Sequence, residues 1–359
     1  MDTALLSILD AFSLAAAPVD CLHHRAGHIN STYIVTVTGG RRYILQRISG
    51  EVFKNIPAMM QNIRLVTEFL QKSISDRRQA LCLVPTKQGE NYLYRDGDYW
   101  RMYDFVENSL CLLLPESDED LYQSALGFGG FLDKLDAFPI EQLAETIPNF
   151  HNTPDRYRIF REVLEHDPLG RAAGVKDEIG FALAREEEMS RLQQMRDAKL
   201  LPTRVTHNDT KLSNILLDAD TRKALCVIDL DTVMPGLSLY DFGDSIRSGA
   251  STAAEDERNL DLVQIDLQRF RIYTRGFLRS FKKLTEKEIE LLPLGAKVIT
   301  FENGLRFLTD YIDGDHYFAI SRDTQNLDRT RAQFKLVSDM ESKWEEMQRI
   351  VAEEKAALL

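Results

Sequence analysis

The stretch HNDTKLSN at 207–214, followed by ILLDADTRKALCVIDLD at 215–231, decides the fold. Apolar residues on both sides of an Asp-Ala-Asp turn predict two short antiparallel strands. Such a hairpin would bring Asn214, just before the first strand, close to Asp229, just after the second. A capped turn on a polar surface is the simpler alternative. A carboxylate, an amide and a second carboxylate at this spacing around apolar strands favour a functional site instead.

These residue types match what phosphoryl transfer from Mg-ATP requires. A carboxylate must orient and deprotonate the attacking hydroxyl, and we assign that role to Asp209. Mg²⁺ prefers hard oxygen ligands, so we predict that Asn214 and Asp229 hold it and that Asp231 supports the metal or the substrate. Lys211, two residues after the proposed base, can reach the γ-phosphate. The predicted cofactors are therefore ATP and Mg²⁺.

Strand signals are concentrated in the first hundred residues. Residues 33–38 and 43–48 are separated by a Gly-Gly turn, and residues 91–94 and 99–103 by an Asp-Gly turn. Each pair predicts a β-hairpin. Residues 58–72 repeat apolar side chains at helical spacing, so one helix is predicted between the two hairpins.

Helix signals dominate the rest of the chain. We predict helices over residues 121–137 and 181–198 and almost continuously from 255 onward. The fold class is therefore α+β. It comprises a small β-rich lobe at 1–107, which would bind the nucleotide, and a larger helical lobe at 108–359. The helical lobe would hold the catalytic loop and the acceptor pocket, and a ligand site is expected in the cleft between the lobes.

The pattern His-x-Asp-x-x-x-x-Asn, followed by an apolar residue and Asp, resembles the catalytic and metal-binding segments of protein-kinase-like folds. The lack of Arg after His207 and the form IDLD resemble the aminoglycoside phosphotransferase and choline kinase superfamily. Further segments are similar to the bacterial N-acetylhexosamine 1-kinases: GHINSTY at 27–33, YILQ at 43–46, RVTHNDTK at 204–211, DLDTVMPG at 229–236, YDFGDSIR at 240–247 and RFLTDY at 306–311. The resemblance implies a two-lobe protein-kinase-like fold. It also implies ATP-dependent phosphorylation of the anomeric C1 hydroxyl of N-acetylglucosamine or N-acetylgalactosamine, which gives a sugar 1-phosphate.

Four residues outside the hairpin are predicted to bind the acceptor sugar. His28 and Asn30 precede the first predicted strand, where a phosphate-covering loop belongs. The His28 imidazole would bind a sugar hydroxyl or a phosphate oxygen, and an ordinary loop position is the alternative. Arg306 and Tyr317 have aromatic neighbours in a helical stretch, and a guanidinium and a ring suit a sugar. An ion pair between Arg306 and Asp310, four residues apart on a helix, is the simpler interpretation.

Gln46 departs from the superfamily pattern. Kinase-like folds place a cation near this strand position to pair with the nucleotide phosphates. If the strand alternates, Gln46 points inward and Arg47 points to the opposite face. We predict that Gln46 and Lys211 contact the nucleotide and that backbone groups of Asp104 and Val106 bind adenine. An ordinary linker at 104–107 is the alternative.

Asp241 begins the triplet Asp-Phe-Gly, which in protein kinases carries the metal ligand. Because Asp229 already follows the predicted hairpin, we interpret Asp241 as structural. An acid at a helix start accepts backbone N–H bonds, here from the catalytic loop. His207 is likewise interpreted as a residue that fixes this loop.

Composition restricts the partners. Lys and Arg number 44 against 56 Asp and Glu, and the net charge of −12 repels polyphosphate backbones, so no nucleic-acid partner is expected. No apolar run reaches the ~18 residues of a membrane span. Four cysteines without metal-type spacing indicate free thiols in a reducing cytoplasm. The oligomeric state stays open.

Two alternative functions follow from the same residues. Another small-molecule kinase of the superfamily would act on choline, homoserine or an aminoglycoside. Trp100 and Trp344 lie away from the expected pocket, which weakens an aromatic cage for a quaternary ammonium. A nucleotide-binding module without turnover is the second alternative, and Gln46 is the reason to consider it.

Overall fold

The computed structural model describes residues 3–24 and 29–358. Its strands are β1 (Pro18–His24), β2 (Ser31–Val37), β3 (Arg42–Ile48), β4 (Leu93–Arg95), β5 (Asp98–Asp104), β6 (Ser109–Cys111), β7 (Arg204–Thr206), β8 (Ile215–Asp218), β9 (Ala224–Val227) and β10 (Met234–Gly236). Its α-helices are α1 (Thr3–Asp10), α2 (Ile56–Gln71), α3 (Asp118–Leu135), α4 (Thr153–His166), α5 (Lys176–Leu183), α6 (Glu186–Met189), α7 (Arg191–Asp197), α8 (Ser238–Gly249), α9 (Leu267–Ser280), α10 (Glu286–Glu290), α11 (Leu292–Asp313), α12 (Gln325–Ser342) and α13 (Trp344–Ala356).

The chain divides into two compact units whose segments alternate along the sequence. We call Met1–Cys111, Lys134–Pro148 and Asn214–Pro235 the sheet unit, and Leu112–Asp133, Asn149–Ser213 and Gly236–Leu359 the helical unit. These units are defined by packing. The sequence predicted a different kind of boundary, after residue 107, between a nucleotide-binding lobe and an acceptor-binding lobe. That functional division stays a prediction.

The sheet unit contains a five-stranded antiparallel sheet with the order β1-β2-β3-β5-β4. Both hairpins predicted from the sequence are confirmed, as is the helix between them. The β2–β3 turn needs positive φ at Gly39 and Gly40, which have φ of 93° and 86°. Strand β1 was not predicted: its burial pattern is mostly exposed, so it lacks the alternation that marks a half-buried strand.

One face of this sheet is covered by the first helix. Apolar residues of α1, β2, β3 and β5 form a common core with two residues from connecting segments, Phe12 and Val84. Its members are Ile8, Leu9, Phe12, Val35, Val37, Tyr43, Leu45, Val84, Trp100 and Met102. Burial of this face fixes the strand register, because a one-residue slip would move every core side chain to the other face. The register therefore determines which polar side chains meet on the second face.

A three-stranded sheet with the order β6-β8-β9 also belongs to the sheet unit. Its β8–β9 hairpin is the one predicted from residues 215–231. The register pairs Ile215 with Val227, and an irregularity follows at Leu216/Leu217. Asn214 and Ile228 extend the ladder by one pair, since the Ile228 N–H donates to the Asn214 carbonyl at 2.9 Å.

Helices make up most of the helical unit. Helix α11 packs against α8, α12 and α4. The single helix predicted over residues 181–198 is wrong, because the chain forms the short helices α5, α6 and α7 instead. Arg185 lies at the first break, and its guanidinium donates to Glu341 of α12 at 2.9 and 2.8 Å. No helix among residues 3–24 and 29–358 is both long and apolar enough to cross a bilayer.

Candidate active site

The proposed catalytic loop follows β7 in the helical unit and is held by one buried carboxylate. Asp241, in the first turn of α8, accepts the backbone N–H of His207 at 2.8 Å and that of Asn208 at 2.7 Å. This confirms the prediction that Asp241 accepts backbone N–H bonds from the catalytic loop. Asn208 adopts φ of 65°, a left-handed conformation that costs free energy unless the surroundings impose it. The two bonds to Asp241 supply that constraint.

Burial also changes the acidity of the Asp241 carboxyl group. It raises the pKa of Asp241 to about 6, although the nearby His207 and the two backbone N–H groups act in the opposite direction. A second layer of bonds ties the loop to α8. The Thr210 hydroxyl donates to the Asp241 carbonyl at 2.5 Å, and the Ser245 hydroxyl donates to the Thr210 carbonyl at 2.8 Å.

His207 is a supporting residue rather than a reacting one. It is fully buried, and its ring meets those of Phe128 and Phe131 edge-on at 5.5 and 6.0 Å. Its Nδ1 accepts the backbone N–H of Asp209 at 3.2 Å. The imidazole therefore holds the backbone of the loop at Asp209.

Asp209 and Lys211, the two predicted catalytic residues, form an ion pair of 2.9 Å within the helical unit. Their side chains are 31% and 44% exposed, so both can reach a ligand from solvent. An ionised carboxylate can accept a hydroxyl proton. The pair thus combines a proton acceptor with a positive charge.

The predicted metal ligands Asn214, Asp229 and Asp231 lie in the sheet unit. The β8–β9 register brings Asn214 and Ile228 together, and Asp229 is the next residue. Asp229 adopts φ of 60°, a left-handed conformation rare for residues other than glycine, Asn and Asp. No group of three His, Cys, Asp or Glu residues in the described ranges forms a metal cage. One carboxylate and one amide oxygen nevertheless fit Mg²⁺, which is ordinarily bound by one or two carboxylates together with substrate phosphates.

Asp231 takes part in a buried polar network on the second face of the five-stranded sheet. Its Oδ1 accepts from Arg101 Nη1, and its Oδ2 accepts from the Asn30 side-chain amide at 2.7 Å. Arg101 Nε donates to Gln46 Oε1 at 2.8 Å, and Gln46 Nε2 donates to Thr32 at 3.1 Å. Arg101 is 1% exposed. Burial opposes its charged form, but Asp231, Tyr103 and Asp229 together raise the pKa of Arg101 above its ordinary value.

This network was only partly visible in the sequence. The inward orientation of Gln46 and the exposed position of Arg47 agree with the predicted alternation, and Arg47 pairs with Asp98 at the surface. Arg101 was missed. The feature that could have identified it is an arginine between Trp100 and Met102 in the middle of a predicted strand. The strand register places this arginine directly opposite Gln46.

Asn30 was predicted to bind the acceptor, and the structure gives its side chain two other partners. Its Nδ2 donates to Asp231, and its Oδ1 accepts the backbone N–H of Ser49 at 3.0 Å. Both ends of the amide are thus engaged inside the sheet unit. His28, the other loop residue predicted to bind the substrate, lies outside the described residues.

The predicted adenine contacts are at the end of β5. The backbone N–H of Asp104 already donates to the Cys82 carbonyl at 2.9 Å, so an adenine contact from Asp104 needs another group. Its carboxylate accepts from Arg41 and Arg77 at 2.7 and 2.8 Å. Val106 follows the strand, and its carbonyl accepts the Ser109 hydroxyl at 2.7 Å. Each residue thus has one backbone group engaged within the sheet unit, and the adenine contacts stay predictions.

Arg306 does not form the ion pair with Asp310 that helical spacing suggested. Asp310 instead accepts the backbone N–H groups of Tyr317 and Phe318 at 2.7 and 2.9 Å. The Arg306 guanidinium lies 5.6, 5.7 and 5.3 Å from the ring centres of Phe150, Tyr317 and Phe318. Asp310 thus fixes the loop after α11, and that loop supplies two of the three rings. Tyr317 itself is 66% exposed.

A buried polar cluster next to Arg306 was also missed. Glu302 accepts from His151 Nδ1 at 2.8 Å and from the Thr153 hydroxyl at 3.0 Å. Burial opposes ionisation, but His151, Arg156 and Arg306 together lower the pKa of Glu302. Within the described residues, three atoms of this region are buried without a hydrogen-bond partner: His151 Nε2, Arg156 Nε and the Tyr240 hydroxyl. Buried polar atoms ordinarily have a partner, so these atoms point to a ligand or water.

Comparisons with known proteins define the class. A model of the phosphotransferase enzyme family matches residues 20–275, and the chain therefore belongs to that family. Similar solved structures include a microcompartment-associated aminopropanol kinase, which is 16% identical in sequence and has a TM-score of 0.63. That match covers 96% of this chain and 98% of the kinase chain. Others are an aminoglycoside phosphotransferase from Alicyclobacillus acidocaldarius (15% identity, 98% and 95% covered, TM-score 0.58) and an ethanolamine kinase from Plasmodium vivax (13% identity, 91% and 82% covered, TM-score 0.57). At these identities the likeness concerns the fold. It confirms the predicted α+β, kinase-like fold with a β-sheet N-lobe and a helical C-lobe.

Proposed function

We propose that the protein is an ATP- and Mg²⁺-dependent kinase that phosphorylates the anomeric C1 hydroxyl of N-acetylhexosamines. The observation that carries the proposal is the Asp209–Lys211 pair on a loop whose backbone is held by Asp241. Family membership supports transfer of a phosphoryl group to a small molecule. The segments that resemble N-acetylhexosamine 1-kinases support the choice of acceptor.

Asp209 orients the sugar hydroxyl and accepts its proton, and Lys211 neutralises charge on the transferred phosphoryl group. A hydroxyl at an anomeric carbon is more acidic than an ordinary alcohol, so a carboxylate is a sufficient base. Asn214 and Asp229 would hold Mg²⁺, which when bound neutralises the charge of the nucleotide phosphates. Asp104, Val106 and Lys211 remain our candidates for nucleotide contacts, because Arg101 and Thr32 engage both ends of the Gln46 amide. Positioning and charge neutralisation supply most of the rate.

The helical unit contains the groups that we assign to the acceptor. Arg306, surrounded by three aromatic rings, and the unpartnered atoms of His151, Arg156 and Tyr240 offer donors together with apolar surface. Tyr240 directly precedes the loop-holding Asp241, and its ring lies 5.0 Å from that of His151. This cluster therefore adjoins the support of the catalytic loop. An N-acetylated sugar, with hydroxyls, a carbonyl and an apolar ring face, fits such groups.

Charge favours a neutral acceptor over an amine. Burial, followed by the neighbouring Arg306, lowers the pKa of Arg156, so two guanidinium groups lie close enough to repel each other. The Glu302 carboxylate offsets one of these two charges, so a protonated aminoglycoside or aminopropanol, or the quaternary ammonium of choline, would add to a net positive charge. Like charges in a partly buried site are unfavourable. Amine kinases of the same family therefore remain the alternative that an acceptor panel must test.

The test is an acceptor panel with purified protein, ATP and Mg²⁺. ADP release is expected with N-acetylglucosamine or N-acetylgalactosamine, and the product should be an acid-labile sugar 1-phosphate. Asp209→Asn should lower kcat by at least ~100-fold, because general-base catalysis contributes about 10²–10⁴. Asp96→Asn is the matched control: it makes the same change at an exposed turn residue and should leave kcat unchanged. Turnover of amines alone, or equal rates for Asp209→Asn and the wild type, would contradict the proposal.

A nucleotide-binding module without turnover would bind Mg-ATP and phosphorylate none of the acceptors. The same panel, combined with a Mg-ATP titration, distinguishes this possibility. A cytoplasmic location is part of our proposal and is supported by the four cysteines, all within the described residues and all free thiols.

A further inference from the structure

Arg101 is a buried cation on the face of the five-stranded sheet that carries Gln46. It lies directly opposite Gln46 in the antiparallel β3–β5 pair, and directly opposed residues share one face of a sheet. Gln46 is the strand position at which kinase-like folds ordinarily carry a phosphate-binding cation. A positive charge is therefore present on this face, one strand away from its expected place.

The partners of Arg101 link it to the proposed metal site. Its Nη1 donates to Asp231, which lies two residues after the proposed ligand Asp229. Gln46 holds the Nε edge of the guanidinium at 2.8 Å. The third nitrogen, Nη2, donates to none of the described residues. In protein kinases a glutamate pairs with the phosphate-binding lysine of the strand. Here Asp231 is the carboxylate that pairs with Arg101.

We propose that Arg101 is the positioning residue for the phosphates of Mg-ATP, supplying the positive charge that Gln46 lacks and holding, through Asp231, the loop that carries Asp229. This inference rests on the proposed kinase function. Stability alone is a weak reason for such a pair, because a buried ion pair contributes little over well-packed apolar residues. The geometry instead assigns Gln46 the task of orienting the guanidinium.

The decisive variant is Gln46→Glu, which keeps size and shape. It places a second carboxylate on the guanidinium and so reduces the positive charge available to phosphates. We expect the dissociation constant for Mg-ATP, measured by calorimetry without acceptor, to rise about 10-fold or more, since a charge-assisted interaction is being cancelled. The melting temperature should stay equal or rise, because the new pair strengthens the network.

Gln61→Glu is the matched control. It makes the same substitution in the sheet unit next to Arg64, on the exposed side of α2, and should leave Mg-ATP affinity unchanged. If Arg101 were only structural, Gln46→Glu would raise the melting temperature and leave Mg-ATP affinity and the KM for ATP as in the wild type. That result would overturn the inference.

A charge-relocation pair gives a second, independent test. Arg101→Gln removes the cation and is expected to weaken Mg-ATP binding by about 10- to 100-fold. The double variant Gln46→Arg/Arg101→Gln returns the cation to β3 and should recover most of this loss, while the KM for the acceptor changes little. No recovery in a folded double variant would contradict the inference. If Arg101→Gln alone fails to fold because Asp231 is left unpaired, the Mg-ATP affinity of Gln46→Glu still tests the inference.

The two proposals fail in different ways. Binding of Mg-ATP is measured without any acceptor, so loss of affinity in Gln46→Glu supports Arg101 even if the wild type phosphorylates none of the sugars. Conversely, a wild type that phosphorylates N-acetylhexosamines, combined with unchanged Mg-ATP affinity in Gln46→Glu, leaves the proposed function intact and removes Arg101 from it.

Discussion

Replacing Asp241 with Asn should separate stability from activity. Asp241 is 1% exposed, and burial raises its pKa from the ordinary 3.8 to about 6. The folded protein therefore binds a proton more tightly at this site than the unfolded chain does. Its stabilising contribution is complete below about pH 4 and is lost as the pH rises through about 6. An isosteric amide carries no charge to bury, so Asp241→Asn removes this loss.

The magnitude follows from the pKa difference. A shift of about 2 units corresponds to ~3 kcal/mol between the low-pH and high-pH limits, of which about 1 to 1.5 kcal/mol falls between pH 5 and 7.5. We expect the free energy of unfolding of Asp241→Asn, minus that of the wild type, to increase by this amount across that range. Urea titrations of both proteins at several pH values measure it. Carboxylates elsewhere titrate equally in both proteins and cancel in the difference.

Activity should change in the opposite direction. The amide offers one acceptor oxygen where the carboxylate offers two, so the N–H of His207 or of Asn208 loses its partner. An unpaired buried N–H costs about 1–3 kcal/mol, and the loop holding Asp209 would relax to avoid it. We expect kcat to fall roughly 5- to 150-fold above pH 7, where stability is equal or higher. A pH-independent stability difference would refute the raised pKa, and unchanged kcat would refute the role of Asp241 in holding the loop.

Two further predictions concern the helical unit. Gly295→Ala should lower the free energy of unfolding by about 1–3 kcal/mol, because a Cβ at Gly295 of α11 would lie 2.6 Å from the Leu239 carbonyl oxygen of α8. Gly130→Ala in α3 is the matched control, because a Cβ at Gly130 would meet no atom within 4 Å, and it should stabilise the protein by up to ~1 kcal/mol. Equal thermal shifts in the two variants would contradict the packing argument. Arg306→Lys keeps the charge but loses the planar contact with three rings, so the acceptor KM should rise about 10-fold while the KM for ATP stays constant. Parallel changes in both constants would argue against a role at the acceptor.

The parts of the site that follow local pattern were predictable from sequence. The β8–β9 hairpin follows from two apolar runs around a turn, and its register brings Asn214 next to Ile228 and Asp229. The structural role of Asp241 follows from its place at a helix start after the metal candidate had been assigned. In both cases the deciding interactions involve a turn or a short loop of known chemistry.

The sequence did not predict interactions in which donors from distant segments compete for the same side chain. Helical spacing favoured an ion pair between Arg306 and Asp310, but the backbone N–H groups of Tyr317 and Phe318 occupy the Asp310 carboxylate. Two N–H donors from a loop compete with a side chain that must give up rotamer freedom, and spacing along one helix contains no information about that loop. The same limit applies to the break at Arg185, whose partner Glu341 is 156 residues away.

Arg101 shows how a functional charge can move without a change of fold. In an antiparallel sheet, two directly opposed residues lie on one face with their Cβ atoms about 5 Å apart, so a long side chain from either strand reaches the same space. A sequence search that inspects only one strand position therefore misses a cation supplied by the directly opposed position of the neighbouring strand. Gln46 is then no sign of lost catalysis, because it binds the arginine that lies opposite it. What the site requires is a positive charge close to Asp231 and Asp229, and the register allows β3 or β5 to supply it.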